Sequence, residues 1–183
     1  MENQTVKEVM VPLADYATVN EEATLFEAVT ALEKAQKTQK SIYPHRAVLI
    51  LSKSGKVIGK LSKFDILKAL EPKYKELEAT DKMSRFGLSA EYLKTMLHQF
   101  DLWNKPLENL CQKTADMKVK NFYSVPEESE YIAFDASLDL AIHQLVMGCH
   151  QSLLVKENDD IVGILKLTDV FSEVCDMIKS CGI

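Results

Sequence analysis

The sequence lacks a long apolar run and lacks a basic, apolar segment at its amino terminus. It contains no stretch of about 18 uninterrupted apolar residues, and residues 1–5 have neither the charged nor the apolar region of a secretory signal. Its 22 basic residues are outnumbered by 27 acidic ones, and the net charge of −5 disfavours general binding to phosphate backbones. We expect a cytoplasmic protein that binds neither membranes nor nucleic acid.

Cysteine is scarce, and its spacing is not that of a zinc site. The four cysteines include no Cys-x-x-Cys pair; they are Cys111, Cys149, Cys175 and Cys181. His143, Cys149 and His150 lie close together in the sequence, but such loose spacing is more typical of polar helix residues beside a thiol than of metal ligands. We expect reduced thiols and no metal.

Glycine is also scarce, and its six copies are isolated at positions 55, 59, 87, 148, 163 and 182. This distribution excludes a P-loop and a Gly-x-Gly-x-x-Gly turn, and no motif pairs a nucleophile with a base. The composition, with 46% hydrophobic and 27% charged residues, is that of an ordinary globular protein with one domain or two small ones. We predict a compact protein that is not an enzyme.

An internal repeat divides the chain into two similar halves. The aligned pairs are 24–32 with 137–145, 45–50 with 150–155, and 57–66 with 161–170, at offsets of 113, 105 and 104. The offset falls because the first half carries extra residues around 37–44 and one more in a later turn, and connecting loops tolerate such insertions. The two halves therefore represent one structural unit used twice.

Each half has the pattern of a strand, a helix, two strands and a second helix. Thr24 and Glu27 form a capping-box signature, and apolar residues then recur at helical spacing. These residues are Leu25, Ala28, Val29 and Leu32, matched by Leu138, Ala141, Ile142 and Leu145. The predicted strands are 17–19, 47–51 and 57–61, then 131–132, 152–155 and 161–165. The fold class is therefore mixed α/β (α+β), with two β-α-β-β-α repeats packed through their sheets.

About fifty residues between the halves predict an inserted helical arm. Ser89 is a candidate N-cap, and a second helix is expected from Pro106. The apolar stripe of the first arm helix consists of Tyr92, Leu93, Met96, Leu97 and Phe100. This stripe, with Trp103 beyond it, packs either on the chain's own domains or, over residues 87–111, on a regulated partner protein. The division is 5–70 for the first repeat, 71–114 for the arm, 115–177 for the second repeat and 178–183 for a tail.

Each half resembles a CBS (cystathionine beta-synthase) domain, and the two together resemble the tandem pair called a Bateman module. The resemblance rests on a His-Arg dipeptide at 45–46 before an aliphatic strand and on Gly-x-x-Ser-x-x-Asp at 59–65, with a related motif at 163–169. It covers residues 5–70 and 115–177. Members of this family commonly bind adenine nucleotides or adenosyl compounds between the repeats, regulate an associated protein and form disc-shaped dimers.

Ser62 and Asp65 are the first candidate ligand-binding residues. The motif leads from a strand into a helix, so we expect Ser62 at the N-cap and Asp65 one turn later, near amides that suit a phosphate. An ionised aspartate only accepts hydrogen bonds, which suits the two hydroxyls of a ribose. The resemblance implies that Ser62 contacts ribose or phosphate and that Asp65 holds the ribose. The alternative is a capping box that needs no ligand.

His45 and Arg46 are implied by the resemblance to reach the phosphates, since a guanidinium meets a phosphate with two parallel hydrogen bonds. Lys60 and Lys63 lie in segments expected to face the same cleft, where they would offset the charge of a ligand. The alternatives are a solvated loop after Pro44 and a displacement of Arg46 by the longer connection that precedes it.

The second half departs from the pattern. Lys166 replaces the serine, Thr168 offers a hydroxyl beside Asp169, and His150 is followed by Gln151 instead of arginine. We expect a weaker or altered site there, with Lys166 either a phosphate contact or a surface charge.

The resemblance implies a stand-alone regulatory protein that binds AMP, ADP or ATP, with or without Mg²⁺, between its repeats and associates as a homodimer. The backbone at Thr18 and at residues 131–132 is expected to line the adenine slot. A ligand-free dimerisation or interaction module and an S-adenosylmethionine sensor are the two alternatives. No catalytic residue and no required cofactor are expected.

Overall fold

The computed structural model describes residues 4–38, 44–71, 73–74, 89–103 and 110–180. The chain opens with a short helix, α1 (Val6–Val9), a two-residue strand, β1 (Val11–Pro12), and a turn of 3-10 helix at Leu13–Asp15. We call residues 4–16 the first leader, because they precede the first repeat.

The first repeat has the predicted order of elements. They are β2 (Thr18–Asn20), α2 (Leu25–Thr38), β3 (Ala47–Leu51), β4 (Val57–Ser62) and α3 (Lys63–Ala69). The sheet has the order β2-β3-β4, with β2 parallel and β4 antiparallel to β3. The capping box predicted for α2 is confirmed, since the amide of Thr24 donates to Oε2 of Glu27 at 2.6 Å and the Glu27 amide donates back to the Thr24 hydroxyl at 3.2 Å.

Two helices of the arm are described, α4 (Ala90–Gln99) and α5 (Leu110–Asp116). Ser89 caps α4 as predicted, because its hydroxyl accepts a hydrogen bond from the Tyr92 amide at 3.1 Å. The start expected for the second arm helix at Pro106 lies outside the described residues.

The predicted stripe of α4 is divided between core and solvent. Met96 is buried and packs with Leu102, Tyr74 and Trp103. The other four members are 40–50% exposed; they are Tyr92, Leu93, Leu97 and Phe100. One part of the arm therefore has a small core of its own, and the rest of the stripe is accessible.

The second repeat repeats the order of the first. Its elements are β5 (Tyr131–Ala133), α6 (Leu138–Met147), β6 (Ser152–Glu157), β7 (Asp160–Lys166) and α7 (Leu167–Ser180). β5 is parallel and β7 antiparallel to β6, and β1 joins the far edge to give the order β1-β7-β6-β5. The helix α7 continues into the segment that the sequence assigned to a tail.

Each repeat is completed by the leader of the other. Val6 of the first leader is fully buried among residues of the second repeat, and its amide donates to the Ala136 carbonyl at 2.9 Å. Val119 of the second leader (residues 117–130) is fully buried in the first repeat, and its amide donates to the Ala23 carbonyl at 2.9 Å. These two contacts are equivalent under the 113-residue offset, so the chain has an approximate internal twofold arrangement.

The two motif glycines lie where these leaders cross the sheets. A Cβ atom on Gly59 would lie 2.9 Å from the Ser124 carbonyl oxygen, and one on Gly163 would lie 2.6 Å from the Val11 carbonyl oxygen. Real Cβ atoms do not approach so closely, and glycine permits the backbone contact. The shared position of glycine in the two motifs therefore has a packing cause.

Among the described residues, no helix is both long and apolar enough to cross a membrane. Within the same part of the chain, no three His, Cys, Asp or Glu side chains are grouped in a way that would hold a metal ion.

Candidate functional site

Ser62 and Asp65 form a capping box at the start of α3. The amide and hydroxyl of Ser62 donate to Oδ2 of Asp65 at 2.9 and 2.6 Å, and the Asp65 amide donates to the Ser62 hydroxyl at 3.1 Å. Both bonds to the carboxylate use the same oxygen, so the capping box leaves Oδ1 to accept other donors. The cap predicted as an alternative is confirmed, and it is compatible with ligand binding.

His45 points into the protein, and its neighbour Arg46 is exposed. The His45 side chain is completely buried, and its ring meets that of Tyr16 edge-on with centroids 4.0 Å apart. Within the part of the chain that the structure describes, neither ring nitrogen makes a well-formed hydrogen bond. Burial lowers the pKa of His45 to about 4; the nearby charge of Lys166 acts in the same direction, and a contact with the Asp15 backbone opposes it. The solvated loop considered for this pair is wrong for His45.

Lys166 is buried and forms an ion pair with Asp169. Its side chain is 5% exposed, and Nζ lies 3.1 Å from Oδ2 of Asp169. Burial raises the pKa of Asp169, although Lys166 partly counteracts this. Burial, together with the charge of Asp169, also raises the pKa of Tyr16. Of the two roles expected for Lys166, that of a surface charge is wrong, because the side chain runs inward.

These contacts bring residues of both halves together. Tyr16 precedes the first strand of the first repeat and His45 its second, while Lys166 and Asp169 belong to the second repeat. We call these four residues the second cluster, since it contains the motif aspartate of the second repeat. The sequence grouped His45 with the motif of its own half, and the structure places it beside Tyr16 and within the field of Lys166.

By equivalence of position we call Ser62, Asp65, Ser129 and His150 of the other half the first cluster. His150 Nε2 lies 3.2 Å from the Ser129 hydroxyl, which corresponds to the contact between His45 and Tyr16. Glu130 pairs with Lys60 on β4, two residues before Ser62, and so links the His150 side to the Ser62 side. The first cluster is less closed, because Ser129 is exposed and the His150 side chain is 15% exposed.

The two remaining candidates are Thr18 and Thr168, both half-buried. Thr18 begins β2 and pairs with Leu49, and Thr168 lies in the first turn of α7 beside Asp169. Sequence reasoning missed Tyr16, Ser129 and Glu130. The 113-residue offset offered a signal for the first two, since each lies just before the opening strand of its half.

A cavity of about 460 Å³ opens elsewhere, at the ends of β5 and β6. Its lining consists of residues 131–135 and 156–158. Of the residues predicted to line a ligand site, this lining includes only 131–132. The ammonium of Lys156 stands over the Tyr131 ring at 3.7 Å.

Comparison with known proteins supports the repeat architecture. Residues 6–72 match the family model of the CBS domain, and a search of curated proteins gives no match. The crystal structure of CBSX2 in complex with AMP aligns with a TM-score of 0.59 at 16% identity, over 94% of this chain and 97% of that chain.

Two further structures give the same result. CBSX2 from Arabidopsis thaliana, a CBS-pair protein, aligns with a TM-score of 0.60 at 15% identity, over 97% of this chain and 98% of that chain. A CBS domain-containing protein of unknown function from Bacillus anthracis aligns with a TM-score of 0.60 at 16% identity, over 94% of both chains. Residues 6–72 therefore match the CBS domain, and over 94–97% of its length the chain shares the fold of these three structures.

Proposed function

We propose that this protein is a non-catalytic regulatory module that binds an adenine nucleotide at the first cluster. The observation that carries the proposal is the Ser62–Asp65 capping box, in which one carboxylate oxygen holds the helix start and the other is left to accept a ribose hydroxyl. The fold shared with CBSX2, whose crystal structure contains AMP, agrees with this ligand class.

The charges around the first cluster support an anionic ligand with a ribose. Lys63 directly follows Ser62. Arg46 lies beside Lys63, because the Lys63 amide donates to the Arg46 carbonyl at 2.9 Å, and the Arg46 side chain is exposed. Lys60 is already paired with Glu130, whereas Lys63 is exposed and Arg46 uses one guanidinium nitrogen on Gln151 and keeps its other donors for a phosphate. We propose AMP, ADP or ATP as the ligand class, with Mg²⁺ required by none of the residues named.

Thermal unfolding with AMP, ADP, ATP, S-adenosylmethionine and NADH, each with and without Mg²⁺, tests the proposal. A ligand at about a hundred times its Kd adds about 2.7 kcal/mol to the free energy of unfolding. Stabilisation by the nucleotides supports the proposal. Stabilisation by S-adenosylmethionine alone favours an adenosyl sensor, and no stabilisation at millimolar concentration favours an interaction module.

Asp65→Asn is the sharpest variant, because the asparagine oxygen preserves the capping box and its amide replaces the oxygen offered to the ribose. We expect an unchanged fold and an affinity for AMP lowered tenfold or more, as loss of a hydrogen bond to a charged group costs about 1.5–3 kcal/mol. Asp139→Asn, at an exposed position in the first turn of α6, is the matched control. An AMP affinity equal to that of the control would remove Asp65 from the site.

We also propose that the protein forms a homodimer through α3 and α7. Phe64 and Leu67 on α3 are 62% and 60% exposed, and Phe171 and Ile178 on α7 are 61% and 67% exposed. Leu67 and Phe171 occupy equivalent positions, so the chain presents two copies of one apolar surface, which suits a twofold partner of the same kind.

The mass in solution tests the dimer. We expect wild-type protein to sediment as a dimer and the double variant Leu67→Asp, Phe171→Asp to sediment as a monomer. Val125→Asp, at a residue that is 70% exposed outside these helices, is the control. A monomeric wild type contradicts the dimer.

The exposed part of the α4 stripe favours a second role, contact with a regulated protein. Tyr92, Leu93 and Leu97 are 41–50% exposed on one helix.

A cytoplasmic location agrees with the exposed free thiols of Cys111 and Cys149, since a reducing compartment keeps such thiols reduced.

A further inference from the structure

The two clusters differ at two equivalent positions. Ser62 of the first cluster corresponds to Lys166 of the second, and Ser129 of the first corresponds to Tyr16 of the second. In each case a small hydroxyl side chain in one half is a long or bulky side chain in the other. The same fold therefore has little side-chain volume at the first cluster and much more at the second.

Exposure follows this difference in size. Tyr16 is 6%, His45 0% and Lys166 4% exposed. The counterparts Ser129 and Ser62 are exposed and half-exposed. Because His45 is fully buried, its ring faces packed protein and not an open cavity. The second cluster is thus filled by its own side chains.

The partner of the motif aspartate also differs. Asp65 is held by the amide and hydroxyl of Ser62 through one oxygen. Asp169 instead receives the buried ammonium of Lys166 at 3.1 Å. An ammonium carries three hydrogen-bond donors and a full positive charge. Lys166 therefore supplies Asp169 with the donors that the hydroxyls of a bound sugar would otherwise provide. A ligand entering here would have to displace a buried ion pair, which leaves a charge uncompensated.

We infer that Lys166, together with Tyr16, closes the second cluster as an intramolecular substitute for a ligand, so that the chain binds one nucleotide and binds it at the first cluster. This inference rests on the proposed function for the identity of the ligand. It assigns Lys166 a role of its own: it excludes ligand from one half and ties Asp169 to the core.

Calorimetric titration with AMP, supported by native mass spectrometry, gives the number of ligands per chain. We expect one for the wild type, one with an affinity lowered tenfold or more for Asp65→Asn, and two for Lys166→Ser, in which serine and Asp169 can form the capping box seen at Ser62. The double variant Tyr16→Ser, Lys166→Ser should strengthen the second binding event. Tyr16→Phe, which keeps the ring, is the control and should bind one.

The wild type tests the inference even where the serine variants do not fold. Two ligands on the wild type would show an open second cluster and overturn the inference without touching the proposed function. One ligand on Lys166→Ser also overturns it. A wild type that binds nothing defeats the proposed function and, with it, the count of one ligand. A single ligand on Lys166→Ser would then still uphold the closure of the second cluster by Lys166, and none on either protein would overturn that closure as well.

Discussion

Arg46 and Gln151 occupy the same position in the two repeats and hydrogen-bond to each other, with the guanidinium Nη1 2.8 Å from the amide Oε1. Their carbonyls have equivalent roles, since that of Arg46 accepts from Lys63 at 2.9 Å and that of Gln151 accepts from Leu167 at 3.0 Å. The contact therefore spans the internal twofold arrangement and joins the starts of the two second helices. Arg46 therefore lies where the two halves of the chain meet.

Replacing this arginine separates phosphate recognition from stability. We expect Arg46→Gln to lower the affinity for AMP about tenfold and to leave the affinity for adenosine unchanged, because the guanidinium meets the phosphate. The free energy of unfolding should change by less than about 1 kcal/mol, as the hydrogen bond is exposed. Titration with both ligands and urea unfolding measure these effects. Equal losses for AMP and adenosine would contradict a phosphate contact.

The buried His45 makes stability depend on pH. Its pKa is about 4 in the folded protein against an ordinary value of 6.5, so the unfolded chain binds an extra proton between these values. The free energy of unfolding should be highest above about pH 6.5 and fall by about 3 kcal/mol as the pH is lowered towards 4. The pKa of Asp169 is raised in the folded protein, so its protonation at the acid end of this range increases the free energy of unfolding and partly offsets the loss from His45.

His45→Leu tests this assignment by urea unfolding across the same pH range. A leucine does not titrate, so we expect a smaller loss of stability on acidification. A variant whose stability falls with pH as steeply as that of the wild type would assign the effect to other groups.

The motif glycines should be required for packing. Gly59→Ala and Gly163→Ala would each place a Cβ against a leader carbonyl, at 2.9 and 2.6 Å, so we expect each to lower the free energy of unfolding by about 2 kcal/mol or more. Gly55→Ala meets no atom within 4 Å but has a φ of +81°, and it should cost about 1 kcal/mol from the backbone alone. Urea unfolding ranks the three. A Gly59 variant as stable as the wild type would refute the close crossing.

The exchanged leaders can be tested with two valines of the same leader. Val119 is fully buried in the first repeat, and Val125 is 70% exposed. We expect Val119→Ala to lower the free energy of unfolding by about 2 kcal/mol, through lost burial and a residual cavity, and Val125→Ala to leave it nearly unchanged. Hydrogen exchange should report the loss in strands β3 and β4, although the substitution lies in the second leader. Loss of protection confined to the second repeat would contradict the exchange.

Local features of the fold were predictable because they depend on residues near in sequence. The capping boxes at Thr24 and Ser62 need a hydroxyl and a carboxylate three residues apart, and the structure contains both. The helix spacing from Leu25 to Leu32 and the alignment of the halves likewise gave the order of elements. The predicted grouping of His45 with the motif of its own half followed the same logic of proximity and did not include Lys166, whose charge acts on His45 together with that of Lys63.

The sequence by itself determined the repeated unit, its strands and helices, and the residue types of both motifs, since periodicity and capping act within a few residues. Only the tertiary structure decided that each leader completes the other repeat, that Lys166 turns inward to Asp169, and that Tyr16 closes on His45. Those contacts join residues far apart along the chain, and their outcome depends on side-chain volume and burial once the two sheets have packed.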